Sequence, residues 1–514
     1  MALAYGEVLS GVERLRRRYS EAGYGQTMRV ATLLANRPEF FLHYLALNSL
    51  GVSLVPINPD YRHDEMLYQM EHSEACLVVA LPERLSDLRQ VAAAREARGG
   101  ASLPVIDGLD LQAIEHGALP AAPVAAEALT SMHARAPDLE TEAALLYTSG
   151  TTGRPKGCRL SNFYFLNAGE GYRTQGGRLT IENGREVFYN PLPLYHMNAL
   201  AVSATCAILS ANSLVLVERF SPQRWWSEIV ETGATIIHYL GIVAPTLLNQ
   251  PVSSEERRHK VKFGLGAGIE PSLHAAFEER LGFPMVEVWG MTETGRIFAD
   301  KTEPRALETR AFGRPGGGMQ ARIVDDQDRE LPPGHAGELL VRHSAEAPRH
   351  GFFSGYLKNE AATEEAWRGG WFHTGDIVTQ DASGMLYFVD RKKHIIRRSG
   401  ENIAAAEIEA VLQSHVAVAQ VAVVPAPDEV REEEVFACIV PMPGVQVGES
   451  LALELFDWAN QKLAYYKAPG WVLFLESLPT TGTQKVQKTL IFAAGEDPRT
   501  RGGVIDLRSH KKRR

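Results

Sequence analysis

The chain has 514 residues, 45% of them hydrophobic and 22% charged, which predicts a soluble globular protein with more than one domain. Its net charge of -9 argues against a general nucleic-acid-binding protein, and the basic residues 510–514 are expected to form a solvated end. No apolar run approaches the roughly 18 residues needed to span a bilayer, and the N-terminus lacks a signal-peptide core, so we expect a cytoplasmic protein without a membrane span.

The four cysteines, Cys76, Cys158, Cys206 and Cys438, are widely scattered and form no close metal-ligand pair. We therefore expect them to be reduced and structural. The histidines are equally dispersed, which argues against a metal site built from His and Cys ligands.

The first part of the chain alternates strand and helix signals. Apolar runs at residues 29–34, 52–56 and 76–80 predict short strands, and residues 40–50 carry a helical pattern. This order favours an α/β architecture, in which helices cover both faces of the sheets. Residues 91–137 are rich in alanine, with scattered glycine and proline, and are expected to form a variable peripheral region.

Two further units are predicted beyond the glycine-rich run at residues 313–318. Residues 320–324 and 337–341 have the pattern of strands in a β-rich subdomain. A compact α+β unit follows, with a helix, a strand and a second helix predicted at residues 405–412, 420–424 and 451–463. We therefore expect a large N-terminal domain, residues 1–390, and a small mobile C-terminal domain, residues 391–514.

The most distinctive segment is the hydroxyl- and glycine-rich run at residues 147–157, which follows the apolar residues 143–146. Glycine lets such a loop bend sharply and bring backbone N–H groups close to an anion, so the run predicts a phosphate-binding loop. It differs from a Walker A loop, because Lys156 follows Pro155 and precedes Gly157. A mobile surface loop is the alternative that this composition alone leaves open.

Further motifs follow in order at residues 191–196, 289–293, 370–376, 390–391, 399–403 and 482–485. With the glycine-rich run, they cover nearly the whole chain. The chain resembles the AMP-forming acyl-CoA synthetases of the adenylate-forming superfamily, which also includes peptide-synthetase adenylation domains and luciferases. Residues 191–196 and 239–246 are most similar to the crotonobetaine/carnitine-CoA ligase branch.

The resemblance implies a reaction in two steps. A carboxylate attacks the α-phosphorus of ATP, pyrophosphate leaves, and the acyl-adenylate then passes its acyl group to the thiol of coenzyme A. Because two anions meet in the first step, charge neutralisation should dominate catalysis. The implied cofactors and substrates are ATP, Mg²⁺, coenzyme A and a small-molecule carboxylic acid.

The resemblance also implies roles for individual residues. Lys485 is the expected catalytic lysine, placed between the carboxylate and the α-phosphate. Thr292 is expected to contact the α-phosphate, and Glu293, with Thr148, to ligate Mg²⁺, which needs few carboxylates when phosphates and water complete its shell. His196 is expected beside the acyl pocket, with a packed core histidine as the alternative. A helix-capping pair is the alternative for Thr292 and Glu293.

The ribose hydroxyls of ATP are expected to bind Asp376 and Arg391. Trp289 stands where the family more often has tyrosine, so it offers a stacking face without a phenolic hydroxyl. The full set implied for ATP is Thr148, Ser149, Gly150, Thr151, Thr152, Gly153, Lys156, Gly266, Ala267, Gly268, Val288, Trp289, Gly290, Met291, Asp376 and Arg391.

The residues expected around the acyl group are mostly apolar and include no Lys or Arg for a second carboxylate, which favours a monocarboxylic acid. By family position they are His196, Asn198, Tyr239, Gly241, Ile242, Val243, Gly264, Leu265 and Met291. An aliphatic and an aromatic acid both suit such a lining, so the identity of the acid stays open.

The small domain is expected to rotate between the two steps. Lys485 acts in the first pose, whereas Ser399, Gly400 and Glu401 line the coenzyme A path in the second. Lys393 occupies the family's hinge position, where a residue absorbs backbone change without chemistry of its own. An exposed lysine in a basic cluster is the alternative for Lys393.

Three other functions share some of these features. A stand-alone adenylation enzyme would load a carrier protein, a luciferase-like enzyme would oxidise its adenylate, and a nucleotide-binding regulator would have a degenerate site. The joint presence of Lys485, Glu293, Asp376 and Arg391 argues against the regulator. The sequence leaves the oligomeric state open, with a homodimer as one arrangement.

Overall fold

The protein is described by a computed structural model. The described residues are 2–123, 136–148, 155–241, 243–398, 401–428, 431–463, 465–480, 486–493 and 495–511. The chain divides into two compact units, which are treated separately below. The first unit comprises Met1–Glu308, Pro315–Met319 and Arg342–Gly370, and the second comprises Thr309–Arg314, Gln320–Val341 and Trp371–Arg514.

A seven-stranded sheet in the first unit has the order β16-β6-β5-β2-β1-β3-β4. Its strands are β1 (Arg29–Leu33), β2 (Ser53–Pro56), β3 (Leu77–Ala80), β4 (Val105–Asp107), β5 (Glu142–Thr148), β6 (Lys156–Ser161) and β16 (Gly355–Tyr356). The central pairs are parallel, and the β5–β6 and β6–β16 pairs are antiparallel. Strands β2 and β3 are buried at every position, as expected for parallel strands covered on both faces.

A six-stranded sheet in the same unit has the order β12-β11-β10-β9-β7-β8. Its strands are β7 (Val187–Asn190), β8 (Ser213–Leu216), β9 (Ile236–Leu240), β10 (Phe263–Ala267), β11 (Met285–Gly290) and β12 (Ile297–Ala299). Side chains alternate between the two faces of a strand. Accordingly, Tyr239 packs with Trp225 in one buried cluster, and Leu265 packs with Phe188 in another.

Helices surround these two sheets along the first unit. They are α1 (Tyr5–Glu21), α2 (Pro38–Asn48), α3 (His63–Ser73), α4 (Leu85–Ala97), α5 (Leu111–His116), α6 (Asn162–Arg173), α7 (Thr205–Leu209), α8 (Trp225–Thr232), α9 (Val243–Leu248), α10 (Pro271–Leu281) and α11 (Glu360–Ala366). A seven-residue π-helix, Asn198–Ala204, leads directly into α7. None of the helices in the described ranges is long and apolar enough to cross a membrane.

The second unit contains a sheet of order β13-β18-β17-β15-β14, in agreement with the predicted β-rich subdomain, and its β13–β18, β18–β17 and β17–β15 pairs are antiparallel. Its strands are β13 (Ala311–Gly313), β14 (Gln320–Val324), β15 (Gly337–Arg342), β17 (Phe372–Gln380) and β18 (Leu386–Arg391). The predicted α/β class with a smaller α+β region is therefore confirmed. The predicted domain boundary at residue 390 stays a prediction.

The rest of the second unit is built on the mixed sheet β20-β19-β22-β23-β24, with β21 paired to β22. Its elements are β19 (Ile395–Arg398), β20 (Glu401–Ala404), α12 (Ala405–Gln413), β21 (Val418–Asp428), β22 (Glu432–Pro441), α13 (Glu449–Lys462), β23 (Trp471–Phe474) and β24 (Ile505–Asp506). One face of this sheet shares a core with both helices, through Ile408 of α12, Val423 of β21 and Leu455 of α13.

The described residues of the region 91–137 include a strand that its composition did not predict. Strand β4 lies within it and pairs in parallel with β3, as the edge strand of the seven-stranded sheet. The run Val105–Asp107 is too short to stand out as a strand in an alanine-rich context. Pairing with β3, rather than its own composition, makes it a strand.

The expectation of a solvated C-terminal end is wrong for Lys511. Its side chain is 2% exposed and forms an ion pair with Glu434, which also accepts from Arg398 Nε at 2.8 Å. Lys511 Nζ donates to the Tyr466 carbonyl at 3.0 Å. Burial lowers the pKa of Lys511 to about 8. A run of basic residues hides this role, because the anion that pairs with Lys511 lies on a distant strand.

We expect Glu434→Gln to destabilise the second unit by about 3 to 5 kcal/mol, because it leaves two buried cations without their carboxylate. Native-state hydrogen exchange of the β22 amides, together with urea unfolding, measures this loss. The control Asp457→Asn removes an exposed carboxylate on α13 and should change stability by less than about 0.5 kcal/mol. Equal effects of the two variants would contradict a structural role for the buried cluster.

Candidate active site

The glycine-rich run begins and ends on a β-hairpin. Strands β5 and β6 are antiparallel, and Thr148 pairs with Lys156. A Walker A loop instead connects a strand to a helix. The hairpin therefore agrees with the departure of this run from the Walker A sequence pattern. The predicted residues Ser149, Gly150, Thr151, Thr152 and Gly153 lie outside the described part of the chain.

Helix α3 holds both strand ends next to this loop. Tyr68 donates its hydroxyl to the carbonyl of Pro155 at 2.9 Å, and His72 Nδ1 lies 2.8 Å from the Tyr147 hydroxyl. The Tyr68 and His72 rings stack with centroids 5.3 Å apart, as residues four apart on a helix can do. Burial lowers the pKa of His72, which favours its neutral form. One helix therefore fixes where the loop starts and where it ends.

Glu293 is buried in the turn after β11, next to the β5–β6 hairpin. Tyr356 on β16 donates its hydroxyl to Glu293 Oε1 at 2.9 Å, and Lys156 Nζ lies 4.8 Å from the centre of the Tyr356 ring. Burial and the neighbouring Glu293 raise the pKa of Tyr356, so its phenol stays protonated and remains a donor. Tyr164 donates to the Thr292 carbonyl at 2.7 Å and so fixes the preceding residue.

A second carboxylate, Glu287, holds residues 266–268 of the predicted ATP set in place. It accepts hydrogen bonds from the backbone N–H of Gly268 at 2.8 Å and of Ile269 at 3.2 Å, and from the Tyr239 hydroxyl at 2.8 Å. Burial raises the pKa of the Glu287 carboxyl. Gly266 is needed in this segment, because a Cβ there would lie 2.2 Å from the Tyr239 carbonyl oxygen.

The neighbouring residues of the predicted ATP set differ in exposure. Ala267 and Gly290 are exposed, whereas Val288 is buried. Trp289 is 7% exposed and stacks on Phe298, with ring centroids 5.2 Å apart and planes at 28°. One face of the indole is therefore covered by Phe298.

The predicted acyl-pocket residues divide between the two faces of the six-stranded sheet. Asn198 contacts His238, which pairs with Leu265 on the adjacent strand, so these three side chains share one face. Tyr239 is fully buried on the opposite face, in a cluster that includes Val243.

At two glycines of the predicted acyl pocket, neighbouring atoms lie close to the backbone. A Cβ at Gly241 would lie 2.0 Å from the Gly268 carbonyl oxygen, and one at Gly264 would meet the sulfur of Met285 at 2.4 Å. The backbone contact makes glycine necessary at Gly241, whereas at Gly264 the Met285 side chain would have to move to admit a Cβ. The predicted pocket residue Ile242 lies outside the described residues.

Residues 191–196 are held by Asn36, a buried side chain beyond the end of β1. Its amide nitrogen donates to the carbonyls of Leu192 and Val217 at 2.9 and 2.8 Å, and its oxygen accepts from the Leu194 N–H at 2.9 Å. This clamp positions the half-buried His196, whose ring lies 4.6 Å from that of Tyr195.

In the second unit, the structure brings Asp376 and Arg391 together. They are paired residues of β17 and β18, and Arg391 Nε lies 2.8 Å from Asp376 Oδ1. Asp376 is 1% exposed, and its backbone N–H donates to the Thr374 hydroxyl at 3.1 Å. The pair can present acidic and basic groups together, as recognition of two vicinal hydroxyls requires.

A charged cluster adjoins this pair. Glu338 lies 3.5 Å from His373 and 2.9 Å from Lys392 Nζ, which also contacts Asp326 at 3.2 Å. Although burial opposes it, hydrogen bonding by His373 and Lys392 lowers the pKa of Glu338 to about 2. For the predicted hinge residue Lys393, only the backbone, in a short 3₁₀ turn, is described.

The predicted coenzyme A segment lies on a hairpin. Arg398 of β19 pairs with Glu401 of β20, and Ser399 and Gly400 between them lie outside the described residues, as does Lys485. Lys488, in the described segment that follows, is mostly buried. Its side chain is 11% exposed and lies 2.7 Å from Glu409 Oε1.

The profile of AMP-binding enzymes matches residues 1–357, and that of their C-terminal domain matches residues 407–485. The chain belongs to the AMP-binding enzyme family. The resemblance to AMP-forming acyl-CoA ligases is therefore confirmed, and ATP and coenzyme A fit the family as substrates.

Named relatives of this enzyme are also CoA ligases. The crotonobetaine/carnitine–CoA ligase of Proteus mirabilis is 31% identical over 502 residues, which cover 94% of this chain and 92% of the relative. The sulfoacetate–CoA ligase of Cupriavidus necator is 30% identical over 489 residues, covering 95% and 91%. The solved o-succinylbenzoate CoA synthetase of Bacillus subtilis, in complex with its acyl-adenylate, has a TM-score of 0.80 at 25% identity, covering 97% and 94%.

The sequence did not indicate the side chains that hold the predicted site residues in place. Tyr356, Glu287, Asn36, Tyr68 and His72 all contact predicted site residues or the segments that carry them. The Tyr68–His72 spacing was the one visible signal, because residues four apart share a helix face. The others act through partners far away in the sequence.

We expect Tyr356→Phe to lower kcat/KM for ATP by about 10- to 100-fold, because a hydrogen bond to a charged group contributes about 1.5 to 3 kcal/mol. Acid-dependent exchange of pyrophosphate into ATP measures this loss. The matched control is Tyr387→Phe, which removes a tyrosine hydrogen bond of 2.8 Å to the carboxylate of Asp381. If both variants retained wild-type exchange, the Tyr356 hydroxyl would have no part in ATP use.

Proposed function

We propose that the enzyme is an ATP-dependent carboxylic acid–CoA ligase that forms an acyl-adenylate and then a thioester. The observation that carries this proposal is the buried Glu293, held by Tyr356 beside Lys156 at the β5–β6 hairpin. A carboxylate and an ammonium group at one glycine-rich hairpin suit a metal-bound polyphosphate.

Magnesium fits the donor set that this chain offers. Among the described residues, no group of three His, Cys, Asp or Glu side chains could hold a metal ion. Mg²⁺ is commonly bound through one or two carboxylates plus substrate phosphates and water, so Glu293 with the Thr148 hydroxyl suffices. When bound, the ion supplies charge neutralisation at the phosphates.

The remaining roles follow from the chemistry of the side chains. Lys156 neutralises the phosphates that leave as pyrophosphate, and Thr292 positions the α-phosphate. Asp376 accepts hydrogen bonds from the ribose hydroxyls while Arg391 donates to them. Lys485 stabilises the charge that develops when the carboxylate attacks the α-phosphorus, as preorganised cations do in such sites.

We assign coenzyme A, rather than a carrier protein, as the acyl acceptor. This assignment is supported by the relatives, which are named as CoA ligases and match along more than nine-tenths of this chain. A small monocarboxylic acid is the proposed substrate class, because the predicted acyl set contains no Lys or Arg. The names of the relatives do not carry over their particular acids.

We assign the two steps to two poses of the C-terminal part of the chain. Lys485 serves adenylation, and Ser399, Gly400 and Glu401 serve thioester formation, with Lys393 as the hinge. Domain rotation of this kind lets one active site complete two different sets of contacts in turn.

We expect Lys485→Ala to lower acid-dependent pyrophosphate exchange by about a hundredfold or more, because it removes a preorganised cation. The same variant should still convert supplied acyl-adenylate to thioester. Replacing Gly400 by Trp should do the reverse, since a bulky side chain obstructs the proposed coenzyme A path. Exchange and single-turnover thioester assays separate the two steps.

The control for this pair is Lys260→Ala, which removes an exposed lysine and should leave both steps unchanged. Damage to the same step by Lys485→Ala and Gly400→Trp would refute the two poses. Loss of neither step in Lys485→Ala would refute its role in adenylation.

Magnesium dependence tests the role of Glu293. Chelation with EDTA should abolish pyrophosphate exchange, and added Mg²⁺ should restore it. Glu293→Gln should raise the Mg²⁺ concentration for half-maximal exchange at least about tenfold, because even loss of a residue that only supports a metal ligand costs about 10- to 100-fold in affinity. The control Glu218→Gln changes an exposed carboxylate and should leave this concentration unchanged. An unchanged requirement in Glu293→Gln would remove Glu293 as the ligand.

A further inference from the structure

A chain of hydrogen bonds fixes the orientation of the Asn198 amide. It starts at the backbone N–H of Leu192, which donates to Asn190 Oδ1 at 2.8 Å. The amide nitrogen of Asn190 must therefore face the other way, where it donates to the Ser203 hydroxyl at 2.6 Å and towards Asn198 Oδ1 at 3.4 Å. Because a backbone N–H cannot act as an acceptor, this assignment cannot be flipped.

The tautomer of His238 follows from the same chain. Its Nδ1 lies 2.9 Å from Asn198 Oδ1, so Nδ1 carries the proton and donates. Its Nε2 then accepts from the Tyr172 hydroxyl at 3.4 Å. His238 and Tyr172 are fully buried, and burial lowers the pKa of His238 to about 3, so the imidazole is neutral. Asn198 Oδ1 is therefore held by two donors.

The opposite end of the Asn198 amide carries two N–H donors. Within the described part of the chain, these donors meet no protein acceptor, and Asn198 is half-buried rather than exposed. Asn198 is also the first residue of the π-helix Asn198–Ala204, where the Ser203 hydroxyl contacts the Asn198 carbonyl at 3.2 Å. π-Helical turns are rare and occur frequently at functional sites.

We infer that Asn198 selects acids whose acyl chain carries an oxygen acceptor, such as a hydroxyl or a keto group, to which its amide donates. The inference rests on the proposed ligase activity and on the predicted place of Asn198 in the acyl pocket. His238 acts as a positioning residue. It holds the amide oxygen of Asn198, so the two amide N–H donors of Asn198 face away from His238.

The physical basis is the cost of leaving donors without partners. An apolar acyl chain would displace water from the Asn198 amide and offer nothing in return, whereas an oxygen acceptor restores the hydrogen bond. A site that donates to a substrate oxygen therefore discriminates strongly against the analogue that lacks it, more strongly than an apolar site discriminates one methylene.

The test uses acids in matched pairs, in which an oxygen function replaces a methyl group of similar size. Suitable pairs are 3-hydroxybutyrate with 3-methylbutyrate, 4-hydroxybutyrate with pentanoate, 4-oxopentanoate with 4-methylpentanoate, and 3-hydroxybenzoate with 3-methylbenzoate. The measured quantity is the ratio of kcat/KM within each pair, from CoA-dependent AMP formation. The wild-type enzyme should favour the oxygen-bearing member of at least one pair by about tenfold or more.

Two variants of Asn198 distinguish a role of its amide N–H donors from a general effect on folding. Asn198→Asp keeps an oxygen for His238 and Asn190 but replaces the donors by an acceptor, so the preference should disappear. Asn198→Leu should shift the preference towards the methyl-bearing acid. Asn249→Asp, an exposed residue, is the control and should leave every ratio unchanged.

His238 is tested through the same ratio, which a general loss of stability would not move. His238→Phe should reduce the preference, and His238→Gln, which can still donate, should retain more of it. Equal use of both acids in every pair by the wild type, or an unchanged ratio in Asn198→Asp, would overturn this inference alone. Absence of AMP formation with every acid would overturn the proposed function, and this inference with it.

Discussion

A carboxylate that is buried on folding needs hydrogen-bond donors to replace the water it loses. This constraint organises the first unit. Glu293 and Glu287 both lie on or just after β11, and each accepts from a tyrosine hydroxyl, Tyr356 and Tyr239 respectively. These tyrosines come from a strand 63 residues later in the chain and one 48 residues earlier. Each carboxylate therefore couples the position of a segment predicted to bind ATP to the packing of the sheets.

The sequence was most informative where a segment is recognised by its own composition. Strands β1 to β3 were predicted from local apolar runs, and the resemblance implied that Asp376 and Arg391 share a site, where the two side chains do meet. The supporting side chains could not be predicted in this way, because a lone Asn36 or Tyr356 has no local pattern. Their partners are set by which strands lie next to each other, and single-sequence periodicity does not specify that order.

The second unit shows the same limit in its charged residues. The tail lysine Lys511 looks like a surface residue in a basic sequence, yet its side chain is buried against Glu434. Burial of a lysine depends on the anion that meets it, and Glu434 lies on β22, well separated in sequence. Composition therefore predicted that the C-terminal residues are basic, but not that the Lys511 side chain is buried in the fold.

In the π-helix Asn198–Ala204, the number of residues matters as much as their types, because it sets where the Asn198 side chain lies. A π-helical turn arises when one extra residue is accommodated in a helix, and removal of one residue would restore α-helical spacing. Each α-helical residue turns the chain by about 100°, since 3.6 residues complete a turn. Loss of one residue between Asn198 and α7 would thus carry the Asn198 side chain away from His238. Among related sequences, a one-residue gap in this segment therefore predicts loss of the Asn198–His238 contact.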